Sequence, residues 1–278
     1  MSAVESLFEH FWQDYTERLC PSALKVKSLL SAKKVLSKEA PLINDHIALR
    51  TFSGDKLGLD KLAQHFIALG YEQKGEYHFT DKKLYAHHYQ HPDPKLPKVF
   101  ISELLLDRCS DTLNQIVSNL IHDLPIQYTD KAEFLYQGRP WRITTEQYQQ
   151  LAKESEYAAW VAAHGFGANH FTVSVNDLAG FSGLEPMSDF LVWHSFVMNA
   201  AGGVIKGSPE VGLEQSSTMA DLVEVEFSDG RLTIPAGFYE FSQRYSTDGM
   251  EKGELYQGFV TASADKIFES TNTVEYES

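Results

Sequence analysis

Two strand-like segments open on the same short pattern, and this repetition constrains the fold more than any other feature. Residues 45–52 (DHIALRTF) alternate, with Ile47, Leu49 and Thr51 on one face and His46, Ala48, Arg50 and Phe52 on the other. Residues 169–175 (NHFTVSV) alternate in the same way, and Asn169–His170 answers Asp45–His46. The first segment is followed by a helix over Leu59–Leu69, closed by Gly70, and by strands at Tyr77–Thr80, Leu84–Gln90 and Lys98–Leu106. After the second, the pattern predicts a helix over about Ser188–Ala200 and strands near Leu213–Met219, Leu222–Phe227, Leu232–Pro235 and Gly237–Tyr245. Asp229–Gly230 is a hairpin signal within that set. The expectation is an α+β chain built from two β-α-β-β-β modules.

Around these modules the chain reads as helical. Leu7, Phe11, Tyr15 and Leu19 recur every four residues, Pro21 interrupts, and a second helix is expected over Ala23–Leu36. Thr112–His122 and Glu146–Ala163 have helical periodicity and would join the modules. The predicted layout is one domain over 1–278: N-terminal helices 3–36, first module about 44–106, helical linker 107–165, second module about 168–246. A segment 255–278 would pack back on the core.

Composition narrows the function classes. A net charge of −14 lacks the basic surface that phosphate neutralisation needs, so no nucleic-acid partner is expected. No run approaches the roughly 18 apolar residues of a membrane span. The N-terminus carries acidic residues where a signal peptide would carry basic ones. Cys20 and Cys109 form no C-x-x-C pair and suggest reduced thiols in a cytoplasmic protein.

In a duplicated β-α-β-β-β fold the first strands of the modules lie side by side. His46 and His170 would then project into one cavity, and the last strand of the second module would bring Glu240 to it. Two imidazoles and a carboxylate with open positions suit a non-haem Fe(II) centre. Arg50 shares the face of His46, four residues and roughly 13 Å along the strand. A substrate could chelate the metal at one end and pair with the guanidinium at the other. Taken singly, each histidine is more often a hydrogen-bonded core residue than a metal ligand, and Arg50 could be a structural ion-pair partner.

The segments 44–52 (NDHIALRTF), 169–175, 215–221 (QSSTMAD), 234–245 (IPAGFYEFSQRY) and 256–271 (YQGFVTASADKIFEST) resemble the family long catalogued as a domain of unknown function, DUF1338. Its characterised members are 2-oxoadipate dioxygenase/decarboxylases, or 2-hydroxyglutarate synthases, of lysine catabolism. The resemblance implies a vicinal-oxygen-chelate-like open barrel of paired βαβββ modules. It implies Fe(2+) held by His46, His170 and Glu240, with Arg50 on a substrate carboxylate. It also implies a substrate contact at about Ala262, where the family carries a larger aliphatic residue. The implied reaction converts a 2-oxo acid, most specifically 2-oxoadipate, with O2 to 2-hydroxyglutarate and CO2.

Further candidates stand around this set. Glu103 closes the first module at a position matched to Glu240, and hydrogen bonding near the metal is its expected role. Thr172 and Ser217 are expected to line the pocket. His87, His88 and His91 read as a solvated face, and Gly165–Gly167 as too short a glycine pattern for phosphate binding. Two other functions remain open: a metal-dependent isomerase or lyase on the same scaffold, and a non-catalytic protein that binds a metal and a carboxylate. The sequence does not report the oligomeric state.

Overall fold

The structure, a computed structural model, describes residues 2–33 and 42–272. Helix α1 (Ala3–Asp14) begins on a capping box, Ser2 with Glu5, and runs into a π-helical turn at Tyr15–Leu19. Helix α2 (Ser22–Ala32) follows, and the remainder of the expected second helix, 34–36, lies outside the described residues. The first module comprises β1 (Asn44–Phe52), α3 (Leu59–Ala68), β2 (Glu72–Phe79), β3 (Leu84–Gln90) and β4 (Lys98–Leu104). Three helices link it to the second: α4 (Asp111–Ile121), α5 (Thr145–Glu154) and α6 (Glu156–His164). The second module has β5 (Ala168–Ser174), α7 (Leu184–Trp193), β6 (Lys206–Ser208), β7 (Leu213–Ser217), β8 (Leu222–Phe227), β9 (Gly230–Pro235) and β10 (Phe238–Arg244). Helix α8 (Thr261–Ile267) and a 3-10 turn (Phe268–Thr271) end the described chain.

Eight strands form one sheet in the order β2-β3-β4-β1-β5-β10-β7-β6. The duplication is therefore real: β1-β4-β3-β2 on one side is mirrored by β5-β10-β7-β6 on the other, with β1 and β5 antiparallel at the centre. This is the vicinal-oxygen-chelate arrangement.

Four features differ from the sequence reading. The β8–β9 hairpin forms at Asp229–Gly230 but makes its own two-stranded sheet, an insertion in the second module. The module's missing strand is β6, a three-residue segment (KGS) too short to show alternation. Helix α7 lies earlier than the expected 188–200 and ends before Ser195, which sits at φ +65. The linker helix expected over 146–163 is two helices, because Ser155 adopts an extended conformation and its side chain caps α6.

The sheet separates two environments. Phe171 and Tyr239 point outward under the N-terminal helix, where Trp12 and Tyr15 pack on Phe171 at 5.1 and 4.9 Å between ring centroids. These aromatic contacts are worth about 0.5–1.5 kcal/mol each beyond the area they bury. The opposite face carries the polar side chains of β1, β5, β7 and β10 described below. Gly165 ends α6 at φ +67, and a Cβ there would lie 2.4 Å from the Arg139 Cα, so the short glycine pattern serves a tight backbone crossing. No helix among the described residues is long and apolar enough to cross a membrane.

Candidate metal centre

The central strand pair builds the site. His46 lies opposite Thr172 and Ala48 opposite His170 across β1 and β5, so both imidazoles leave the same face of the sheet. Strand β10 runs parallel to β5 with Glu240 opposite Thr172. One donor atom from each of His46, His170 and Glu240 lies within 4.8 Å of the others, and all three residues are buried. The His46 Nε2 is 3.4 Å from Glu240 Oε1, and the His170 Nε2 is 3.2 Å from Glu240 Oε2. Donors held by one ion at about 2.0–2.2 Å and right angles would lie roughly 3 Å apart, so the spacing suits a shared cation.

The far side of each ring is committed. The His46 Nδ1 meets Asp45 Oδ1 at 2.8 Å, and the His170 Nδ1 meets Asn169 Oδ1 at 2.9 Å. Each oxygen accepts the Nδ1 proton, which leaves both Nε2 lone pairs facing the cluster. The duplicated Asp/Asn-His pattern in the sequence is thus a duplicated device for aiming imidazoles. Arg244 fixes Asp45 with two contacts, at 2.5 and 2.9 Å, and also donates to the Tyr256 and Gly258 carbonyls. Burial alone would raise the Asp45 carboxyl, but the Arg244 charge and hydrogen bonds outweigh it and hold the group well below the usual range.

Glu240 is fully buried and its Oε2 has no hydrogen-bond partner. Its Oε1 accepts from Gln215 Nε2 at 2.7 Å. Burial raises its pKa, opposed by His46 and Gln215. Burial, reinforced by the nearby Arg50 charge, holds His170 well below its ordinary value and so neutral. A buried carboxylate oxygen without a donor is costly, and neutral imidazoles are the ligating form. The donor set therefore fits a divalent cation.

Arg50 lies further along the same face of β1 and is 3% exposed. Its guanidinium sits 5.1 Å from the Tyr157 and Trp160 rings and 5.5 Å from Phe268. Nη1 donates to Thr271 Oγ1 at 3.2 Å, while Nε and Nη2 have no partner. Burial lowers its pKa from 12.5 to about 10. Aromatic faces hold this cation without neutralising it, as a carboxylate-binding site requires.

Other expected residues fall differently. The parallel registers place Ala48 opposite Phe100 and Thr172 opposite Glu240, so Phe100 is the counterpart of Glu240. Glu103 corresponds to Gln243, points away from the site, and accepts the Leu59 N–H at the start of α3. Gln243 does the same for Leu184 at the start of α7. Glu103 is thus a helix cap and takes no part in the pocket. Ala262 is exposed, and α8 instead presents Ala264 and Ile267 to the cavity. Thr172 Oγ1 lies 3.0 Å from His46 Nε2, behind the ligand, and Ser217 is tied to Ser270 at 2.8 Å; neither is among the residues that line the cavity.

His87 and His88 are buried, contrary to the solvated face expected. His88 lies against Phe259, which the C-terminal segment lays across the sheet, and burial pushes its pKa down to about 3. Phe259 is also 4.8 Å from the His46 ring. The roles of Asp45, Asn169, Arg244 and Phe259 depend on distant chain segments, and the repeated residue before each histidine was the one local sign of them.

The family model described as 2-oxoadipate dioxygenase/decarboxylase matches residues 18–249. The chain belongs to this family. An Arabidopsis thaliana relative, the chloroplastic 2-oxoadipate dioxygenase/decarboxylase, is 35% identical over 253 residues, covering 83% of this chain and 68% of its own. Among solved structures, the hydroxyglutarate synthase from Oryza sativa in complex with 2-oxoadipate superposes with a TM-score of 0.87 at 30% identity. That match covers 96% of this chain and 91% of the rice chain. A Shewanella frigidimarina protein with the provisional name of hydrolase is 51% identical, with a TM-score of 0.86 over 94% of this chain and 99% of its own.

Proposed function

We propose that the protein is an Fe(II)-dependent dioxygenase that converts 2-oxoadipate and O2 to 2-hydroxyglutarate and CO2. The observation that carries this reading is a two-histidine, one-carboxylate donor set on the same sheet face as a buried guanidinium with unpartnered N–H groups. The family name and the 2-oxoadipate bound by the rice neighbour supply the substrate.

His46, His170 and Glu240 would hold the metal, with Asp45 and Asn169 orienting the imidazoles and Gln215 fixing one carboxylate oxygen. Bound there, Fe(II) supplies open coordination positions and the electrons that dioxygen chemistry requires. Arg50 takes the distal carboxylate, whose two oxygens match the paired donors of a guanidinium. Phe100, Phe238 and Phe259 line the cavity and keep water from the reacting end. Two free cysteines, Cys20 and Cys109, suit a reducing compartment, the cytoplasm in this reading.

The test is to load apoprotein with Fe(II) or Zn(II) without oxygen, add 2-oxoadipate, admit air, and identify products by mass spectrometry. The reading predicts 2-hydroxyglutarate with iron alone. Turnover with zinc in the absence of O2 would favour an isomerase or lyase, and no turnover of any C4–C8 2-oxo acid would sink the oxygenase.

A further inference from the structure

The metal-ligand cluster and Arg50 share one face of the sheet, yet separate cavities serve them. The cavity at His46, His170 and Glu240 has a volume of about 30 Å³. The cavity at Arg50 has about 180 Å³. Of the residues lining each, Phe268 is common to both. The smaller space has room for roughly two waters, so a six-carbon diacid anchored at the cluster must extend past Phe268 to reach the guanidinium. Between His46 and Arg50 the floor of this path is Ala48, whose methyl group offers little obstruction.

Phe268 is held from outside the path. Its ring packs edge-on against Phe79 at 5.1 Å and lies 5.5 Å from the Arg50 guanidinium carbon. It opens the same 3-10 turn that delivers Thr271 to Arg50. One short turn therefore sets both the partition between the cavities and the position of the guanidinium.

We propose that Phe268 determines substrate length: its ring is the partition that fits one spacing between the chelating 2-oxo acid end and the distal carboxylate. This rests on the function proposed above. A shorter diacid leaves the guanidinium unpaired, and a longer one collides with the ring. Removing the ring joins the two cavities and relaxes the upper limit.

The experiment uses Phe268→Ala and Phe268→Leu beside the wild type. Anaerobic calorimetry on the metal-loaded protein gives the Kd for 2-oxoglutarate, 2-oxoadipate and 2-oxopimelate, and aerobic assays give kcat/KM for each. Phe268→Ala should raise the 2-oxopimelate to 2-oxoadipate preference about tenfold in both measures, the scale on which one methylene is discriminated. Phe268→Leu should shift it less in the same direction, and it decides the matter if the alanine variant does not fold. Equal weakening of all three ligands would overturn the inference. Wild type that turns over 2-oxoadipate, with variants whose 2-oxopimelate to 2-oxoadipate ratio stays at the wild-type value, refutes this inference alone. Wild type that binds and turns over none of the three refutes the functional reading beneath it.

Discussion

Arg50 offers a perturbation whose effects on stability and on substrate should have opposite signs. A fall in pKa from 12.5 to about 10 corresponds to about 3 kcal/mol of bias against the charged form, caused by burial. Both folded and unfolded states hold the proton at neutral pH, so the whole penalty burdens the fold there. Arg50→Met keeps an unbranched chain among Tyr157, Trp160 and Phe268 and removes the charge. Lost cation–π contacts, at about 0.5–2 kcal/mol, offset part of the relief. The net expectation is a gain of about 1–2 kcal/mol, or a Tm higher by roughly 2–8 °C for a chain of this size. Substrate binding should move the other way, because a desolvated carboxylate would lose its partner, at a cost of about 2–4 kcal/mol. That is roughly 30- to 1000-fold in Kd for 2-oxoadipate, read by calorimetry under anaerobic conditions. Metal content, read by elemental analysis, should stay at the wild-type level. A variant that binds 2-oxoadipate like the wild type, or that loses metal and substrate together, would refute the separate roles given to Arg50 and the metal ligands.

Two further outcomes follow from other parts of the fold. Glu103→Ala should lower stability by about 0.5–2 kcal/mol in urea titrations, as a lost helix cap, and leave metal content and kcat intact; a loss of metal would contradict the capping role. His164 is buried with Nε2 on the Pro235 carbonyl, and burial depresses its pKa to about 3. The unfolded chain takes up the proton below about pH 6.5 and the folded chain does not. Stability contributed by neutral His164 is thus present above pH 6.5 and lost between pH 6.5 and 3, by up to about 1.4 kcal/mol per pH unit. Urea unfolding at pH 7, 6, 5 and 4 should show His164→Gln with a shallower acid slope than the wild type, and equal slopes would contradict this assignment.

Period-two alternation made β1 and β5 legible, and the repeated histidine pointed to their adjacency, because both signals are local. The same alternation put Arg50 on the face of His46. Strand β6 was not legible: three residues, one of them Gly207, carry no period, and the β8–β9 hairpin has stronger local signals although it stands outside the main sheet. Glu103 was misplaced because element order fixes which strand matches which but leaves the register open. Only the pairing of Ala48 with Phe100 and of Thr172 with Glu240 decides that. His88 read as solvated because the ring that buries it, Phe259, is more than a hundred residues away in sequence. Ala262 missed the cavity by two residues, within the ordinary shift of a short helix whose start is marked by no capping side chain.

The central claim is that His46, His170 and Glu240 hold an iron that couples O2 consumption to decarboxylation of a 2-oxo acid. Its most direct test is stoichiometry: an oxygen electrode and CO2 trapping on Fe(II)-loaded protein with 2-oxoadipate, beside His170→Ala. The account predicts one O2 consumed for each CO2 and each 2-hydroxyglutarate formed, and neither metal binding nor turnover in the variant. CO2 release without O2 uptake, or undiminished turnover by His170→Ala, would contradict it.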